Sequence, residues 1–238
     1  MNSSYLNIHN NNEIPTQNTY DAFNNFIFSN DIKLFGKMMY KLHFFKLTQH
    51  LPGDIVEIGV FKGSGVAIWL KILKVFSHNT NKKVIGFDFF SRENVENFTN
   101  NIEVGNNLLD VIKRIDTNDL TIENVNNNII NSGIDESKFI LIKGDIQHTT
   151  KKFVDSNPGF RISLLYLDAD LLEPTYYSLL HFWDRILPGG YIIFDEYEYH
   201  NFNESSGVEK FLKEKNLEYT ITTTDFFQPT AFMIKKNL

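Results

Sequence analysis

Seven carboxylates stand at or near the ends of five apolar runs in this 238-residue chain. Glu57 lies in IVEIGV, Asp88 ends VIGFD, and Asp145 follows FILIKG. Asp168 and Asp170 end ISLLYLDAD, and Asp195 and Glu196 end YIIFDE. A single acid after a strand serves well as a helix N-cap, but acids after all five runs ask for more than capping. Three unpaired carboxylates brought together, as Asp168, Asp195 and Glu196 would be, repel and raise one another's pKa. A divalent cation resolves that conflict, and an all-oxygen donor set favours Mg²⁺, with Ca²⁺ or Mn²⁺ as competent substitutes. Asp170, two residues past Asp168, shares its face if the strand persists that far, and is left to act as a base.

A second group of residues follows the first run. Glu57-Ile-Gly59-Val-Phe-Lys-Gly63-Ser-Gly65 has the glycines that let a backbone approach a ligand and bring a helix N-terminus towards it. Its spacing is not the G-x-G-x-x-G of a dinucleotide turn, and no G-K-[ST] follows four spacers as in a P-loop. Asp88 lies about thirty residues further on, where an acid can accept from a ribose diol. Together they predict a cofactor that contains a nucleoside.

The elements that must position these groups read as alternating strands and helices. Apolar spacing predicts a helix over 31–50, halted by Pro52-Gly53, then strands at 54–60, 84–88, 139–145, 162–170 and 191–196. Helices are expected at 64–76, 149–155 and 207–215. Another runs from Pro174 to Leu187 and is ended by Pro188-Gly189-Gly190. Two strands near 218–223 and 230–235 finish the pattern. Such alternation means an α/β fold with a mostly parallel sheet covered on both faces, whose strand carboxyl ends form one ligand-binding edge. Residues 91–135 are polar and Asn-rich, with helical patches at 104–115 and 120–130.

Composition narrows the field. The chain is 42% hydrophobic and 22% charged, which suits a globular domain, and no stretch approaches the ~18 apolar residues of a membrane span. It has no cysteine, so disulfides and thiolate sites are excluded. The first thirty residues hold neither Lys nor Arg nor an apolar block, so no leader is expected and a cytoplasmic location fits. A net charge of −6 argues against nucleic acid as a partner. Asparagine is abundant, and surface tolerance explains it more simply than an adhesive tract. His181 reads as a packing or solvent-facing residue, and His200, though close behind the acidic pair, reads more simply as a surface residue than as part of an acceptor pocket.

The stretches LPGDIVEIGVFKGSG (51–65), VIGFDFF (84–90), IKGDIQHT (142–149) and LLYLDADLLEPTYYSLLHFWDRILPGGYIIFDEY (164–197) resemble the class I S-adenosylmethionine-dependent methyltransferases. Within these, the chain is most similar to the metal-dependent O-methyltransferases of macrolide sugars, the macrocin family. The resemblance implies a Rossmann-like seven-stranded sheet over 34–238, an Asn-rich arm at 1–33, and a cap or acceptor insertion at 91–135. It implies that Glu57, Gly59, Gly63 and Asp88 hold S-adenosylmethionine, with Asp145 beside the adenine. Asp168, Asp195 and Glu196 would bind Mg²⁺, and Asp170 would be the general base. The acceptor implied is a small-molecule sugar or other diol. The arm and insertion are expected to shape its pocket or a subunit contact in a homodimer. Three places depart from the family pattern. Glu196 stands where Asp is usual, Asp88-Phe-Phe-Ser-Arg replaces D-T-F-x-G, and EYHNFNESSG replaces a glycine-rich stretch.

Overall fold

The computed structural model describes residues 17–77, 80–99 and 105–236. Nine α-helices and seven strands are found among them. The strands are β1 (Asp54–Ile58), β2 (Val84–Asp88), β3 (Phe139–Lys143), β4 (Ile162–Leu167), β5 (Ile186–Phe194), β6 (Thr222–Thr223) and β7 (Ala231–Ile234). They form one sheet in the order β3-β2-β1-β4-β5-β7-β6. The first five are parallel, while β7 runs antiparallel to β5 and to β6. This is the doubly wound, mostly parallel seven-stranded sheet expected from the alternation.

Alternate side chains of the central strands feed two cores. Leu165 and Leu167 of β4 join Ile58 of β1, Phe87 of β2 and Phe194 of β5 on one face. That face is covered by α7 (Ile146–Ser156), α8 (Leu172–Phe182) and α9 (Glu204–Glu214). Leu164 and Tyr166 face the other core, under α2 (Ile32–Thr48), α3 (Ser64–Phe76) and α6 (Ile122–Asn131). Every residue of β4 is buried, and each such apolar side chain contributes about 1.5–3 kcal/mol. A helix cap contributes about 1 kcal/mol, so burial of these strands rather than any local signal fixes the fold.

Several boundaries differ from the sequence reading. β4 stops at Leu167 rather than at Asp170. α7 begins at Ile146 because Asp145 caps it, its carboxylate accepting from the Gln147 amide at 2.8 Å. α8 ends at Phe182 and a 3-10 turn covers Trp183–Arg185. Pro188-Gly189-Gly190 does not end a helix but lies inside β5, where the register against β4 skips between Ile162 and Leu164. Proline and glycine fit that bulge, because the ladder there is already interrupted.

The segment 91–135 folds as α4 (Arg92–Thr99), α5 (Gly105–Ile112), a 3-10 turn (Thr117–Leu120) and α6. Part of the Asn-rich arm lies outside the described residues. The rest forms α1 (Gln17–Ile27), which buries no residue, and leads to Asp31, whose carboxylate caps α2. No helix among the described residues is long and apolar enough to cross a membrane.

Candidate active site

The hydrogen-bond ladder runs one residue past the strands and places the acids by their backbones. Gly59 donates to Phe87, Asp168 to Ile58, and Asp195 to Leu167, each at 2.9 Å. The strand order therefore lays the candidate groups out in sequence along one edge. Asp145 lies beyond β3, Asp88 on β2, Gly59 beyond β1, Asp168 and Asp170 beyond β4, and Asp195 and Glu196 beyond β5. With strands about 4.8 Å apart, Asp88 and Asp168 stand roughly 10 Å from one another along the edge. A single cavity of about 400 Å³ lies there, lined by Glu57, Gly59, Asp88, Asp145, Asp168, Asp170, Asp195 and Glu196. Val95, Phe98, Leu108, Ile112 and Leu120 of the 91–135 segment form its apolar wall.

On the side of β1 to β3, Asp88 accepts from the Phe61 amide at 2.8 Å and the Phe90 amide at 3.0 Å. Burial raises its pKa, and these amides oppose the rise. The two glycines have unequal roles. Gly59 adopts φ +86°, and a Cβ there would stand 1.7 Å from the Asp168 carbonyl oxygen. It is glycine because β4's continuation presses against it, and it still lines the cavity. Gly63, at φ +88°, opens α3, and a Cβ there would stand 2.6 Å from a Val125 methyl. It is not among the cavity's lining residues; its role is to let α6 pack on α3. Glu57 is buried, and one of its oxygens accepts from Lys41 at 2.9 Å and from the Trp69 indole at 2.6 Å.

The acids beyond β4 and β5 form one electrostatic group. Burial, then the charge of Asp195, pushes Asp168 up to about 8. Burial, then Asp168, takes Asp170 to about 7. Asp195 is raised by burial to about 6, with the Tyr166 hydrogen bond and Lys37 holding it lower. Glu196 is raised to about 8 by burial and by Asp170 and Asp168. Asp170 does not reach the cavity through strand alternation as expected. The strand has already ended, and Asp170 turns in at φ +61°, a left-handed conformation that Asp tolerates better than most residues. His200 is exposed and is not among the cavity's lining residues. His181 packs with Thr150, ring nitrogen to hydroxyl, at 2.7 Å.

Four residues of this site escaped the sequence reading. Tyr166 of β4 donates its hydroxyl to Asp195. The Tyr40 hydroxyl lies 2.7 Å from that of Tyr166, and since Tyr166 has a single proton to give, Tyr40 is the donor. Glu204 at the start of α9 is fully buried, and it accepts from the Glu196 amide at 3.3 Å. Lys37 of α2 lines the cavity. Burial disfavours its charge, but Asp168, Glu57 and Asp195 outweigh burial and raise its pKa. The glutamate lay in a segment without periodicity. The lysine lay in a helix whose apolar stripe was the only visible signal.

The donor chemistry suits a hard divalent cation. Four carboxylates crowd one end of the cavity, and Glu196 Oε2 is buried without a hydrogen-bond partner. The side chains are not, however, gathered on a point. Among the described residues no three His, Cys, Asp or Glu side chains are grouped to hold a metal ion. The expected triad of Asp168, Asp195 and Glu196 lines the cavity without forming such a group, and two of its members have other partners. Asp195 turns to Tyr166, and Glu196 accepts from the Gln228 side-chain amide at 2.7 Å.

Comparison with known proteins adds to this geometry. A family model described as macrocin-O-methyltransferase (TylF) matches residues 43–232. The chain is similar to the 8-demethyl-8-(2,3-dimethoxy-alpha-L-rhamnosyl)-tetracenomycin-C 4'-O-methyltransferase of Streptomyces olivaceus. The two are 27% identical over 157 residues, which is 63% of this chain and 55% of that protein. It is also similar to the mycinamicin III 3''-O-methyltransferase of Micromonospora griseorubida, with 23% identity over 151 residues, 63% of this chain and 58% of the relative. The match thus spans little more than half the length of these curated relatives. Among solved structures, the O-methyltransferase NovP superposes with a TM-score of 0.69 at 18% identity, over 85% of this chain and 80% of NovP. CalS11, a TDP-rhamnose 3'-O-methyltransferase, superposes with a TM-score of 0.64 at 19% identity, over 94% and 88% of the two chains. These two likenesses establish a shared fold.

Proposed function

The chain belongs to the macrocin O-methyltransferase family, and from that premise we propose that it transfers the methyl group of S-adenosylmethionine to a sugar hydroxyl. The sugar is carried on a nucleotide, a glycan precursor or a natural product. One observation carries this reading: a single cavity joins Asp145 and Asp88 at one end to Asp170 and Glu196 at the other. The nucleoside half of the cofactor needs the first pair, and an alcohol that must lose a proton needs the second. The sugar specificity named in the relatives supports the acceptor class.

The chemistry follows from the residues. An alcohol is a weak nucleophile near neutral pH, so a base must take its proton as the O–C bond forms and the S–C bond breaks. We assign that role to Asp170, supported by its position in the cavity lining and by a pKa that burial and Asp168 lift to about 7. The apolar wall of 91–135 would limit water around the transfer, and residues fixed along the edge would hold oxygen, methyl carbon and sulfur in line. Asp168, Asp195 and Glu196 would hold Mg²⁺, which when bound lowers the pKa of a coordinated hydroxyl and fixes its position.

The test is a calorimetric titration of S-adenosylhomocysteine, then Mg²⁺, into the wild type and Asp168→Ala, followed by a methyl-transfer assay with nucleotide sugars. Cofactor binding in both proteins, metal binding in the wild type alone, and sugar methylation are expected. Cofactor binding without metal in either protein would remove Mg²⁺ from the account. Absence of cofactor binding in both would end it.

A further inference from the structure

The charge of the cavity is lopsided. Eight carboxylates line it, and among the described lining residues Lys37 is the sole basic side chain. Lys37 stands one helical turn before Lys41 on α2. Lys41 is committed to Glu57 at 2.9 Å. Lys37, by contrast, is half-buried and forms no hydrogen bond or ion pair among the described residues. An ammonium so placed has given up part of its hydration without a close protein partner, and it is suited to an anionic ligand group.

The cofactor read above places opposite demands on this wall. The amino-acid end of S-adenosylmethionine carries a sulfonium, an ammonium and a carboxylate within a few bonds. A wall of aspartates and glutamates attracts the first two and repels the third. The repulsion acts in a half-buried site, where water screens it poorly. A cationic side chain facing the carboxylate offsets that repulsion. The order of the edge says where. With adenine beside Asp145 and ribose at Asp88, the amino-acid end falls over β1 and β4. Lys37 lines the cavity, and the acids that favour its charge are Asp168, Glu57 and Asp195, which belong to β4, β1 and β5.

We propose that the Lys37 ammonium binds the α-carboxylate of S-adenosylmethionine and retains it in the product S-adenosylhomocysteine. This rests on the methyltransferase reading. It makes α2, an element outside the glycine turn, part of the cofactor site. It also assigns the wall a division of labour, with acids for the cofactor's positive groups and one lysine for its negative one.

Two probes separate the proposal from its rivals. S-adenosylhomocysteine has the amino-acid end, whereas 5′-methylthioadenosine has the same adenosyl thioether without it. Calorimetric affinities are measured for both, with wild type, Lys37→Met and Lys37→Arg. A lost charge-assisted contact should weaken S-adenosylhomocysteine binding to Lys37→Met by about tenfold or more. Methylthioadenosine affinity should stay within about twofold of wild type, which also shows that the variant is folded. Lys37→Arg should recover most of the loss. If both ligands weaken alike in Lys37→Met, the lysine merely balances the charge of the acids and the proposal falls. If neither weakens and the KM for the acceptor rises, the lysine faces the acceptor and the proposal again falls. If the wild type binds neither probe, the cofactor reading fails and takes the proposal with it.

Discussion

The Lys41 ammonium lies 2.9 Å from the Glu57 carboxylate, and the two side chains are 0% and 2% exposed. The same oxygen accepts from the Trp69 indole, and the ammonium lies 4.3 Å from the Trp69 ring and 4.2 Å from the Tyr166 ring. A buried pair of this kind is hard to read as net stabilisation, but breaking it by removing one partner is costly. Lys41→Met should destabilise the protein by about 3–5 kcal/mol in urea unfolding. Adding Glu57→Gln should return part of that loss, because the uncompensated charge is then gone. Additive effects of the two substitutions would show that the pair is not coupled.

Two glycines should answer oppositely to the same substitution. Gly59→Ala drives a Cβ to 1.7 Å from a backbone oxygen at φ +86°, and should cost at least about 2–4 kcal/mol through strain and overpacking. Gly36 lies within α2 with nothing within 4 Å of its Cβ position. Gly36→Ala should stabilise by about 0.5–1 kcal/mol. Thermal unfolding of the two variants is the check.

Asp170→Asn keeps the size and the left-handed backbone tolerance of Asp and removes the base. Methyl transfer should fall by about 10²–10⁴-fold, while S-adenosylhomocysteine affinity remains within about twofold of wild type. Near-normal turnover would move the base elsewhere.

Metal-free protein should lose stability as the pH rises from about 5 to 8.5. The sign follows from the direction of the shifts. Asp168 and Glu196 are raised to about 8, Asp170 to about 7 and Asp195 to about 6. Unfolded carboxylates titrate near 4. Below that range both states are protonated and these groups cost nothing. Above it the unfolded chain ionises first, and each proton retained only by the folded state tilts stability by about 1.4 kcal/mol per pH unit. Melting temperatures of the wild type in EDTA should therefore drop across this window, and those of Asp168→Asn should drop less. A parallel pH profile in the two proteins would contradict the coupling.

The edge itself was legible in the sequence because its signals are local. Apolar runs ending in Asp88, Asp168 and Asp195 announce both the strands and the acids at their ends. Lys37 and Lys41 were not legible. Helical periodicity marks only the apolar stripe, and a lysine beside it reads as solvated until a distant carboxylate is seen to face it. Glu204 was hidden for a related reason, since its meeting with Glu196 is made by a turn and not by a repeat. Pro188-Gly189-Gly190 misled because those residues end helices and form bulges equally well, and only the neighbouring β4 register distinguishes the two. Gly63 carried the right residue type for a different cause, the approach of α6.

Lys37 near the start of α2 and Gln228 in the turn before β7 serve one cavity from distant parts of the chain, Lys37 by lining it and Gln228 by donating to Glu196. A ribosome releases the first of them long before it makes the second. Until β7 emerges and pairs with β5, Phe194 has no neighbour on that side and Glu196 lacks its amide. During synthesis the edge of β1 to β4 is complete in sequence while the acid pair beyond β5 still lacks its latch. The site comes to maturity late. A chain cut short before Gln228 keeps the edge of β1 to β4 and lacks the contact that orients Glu196.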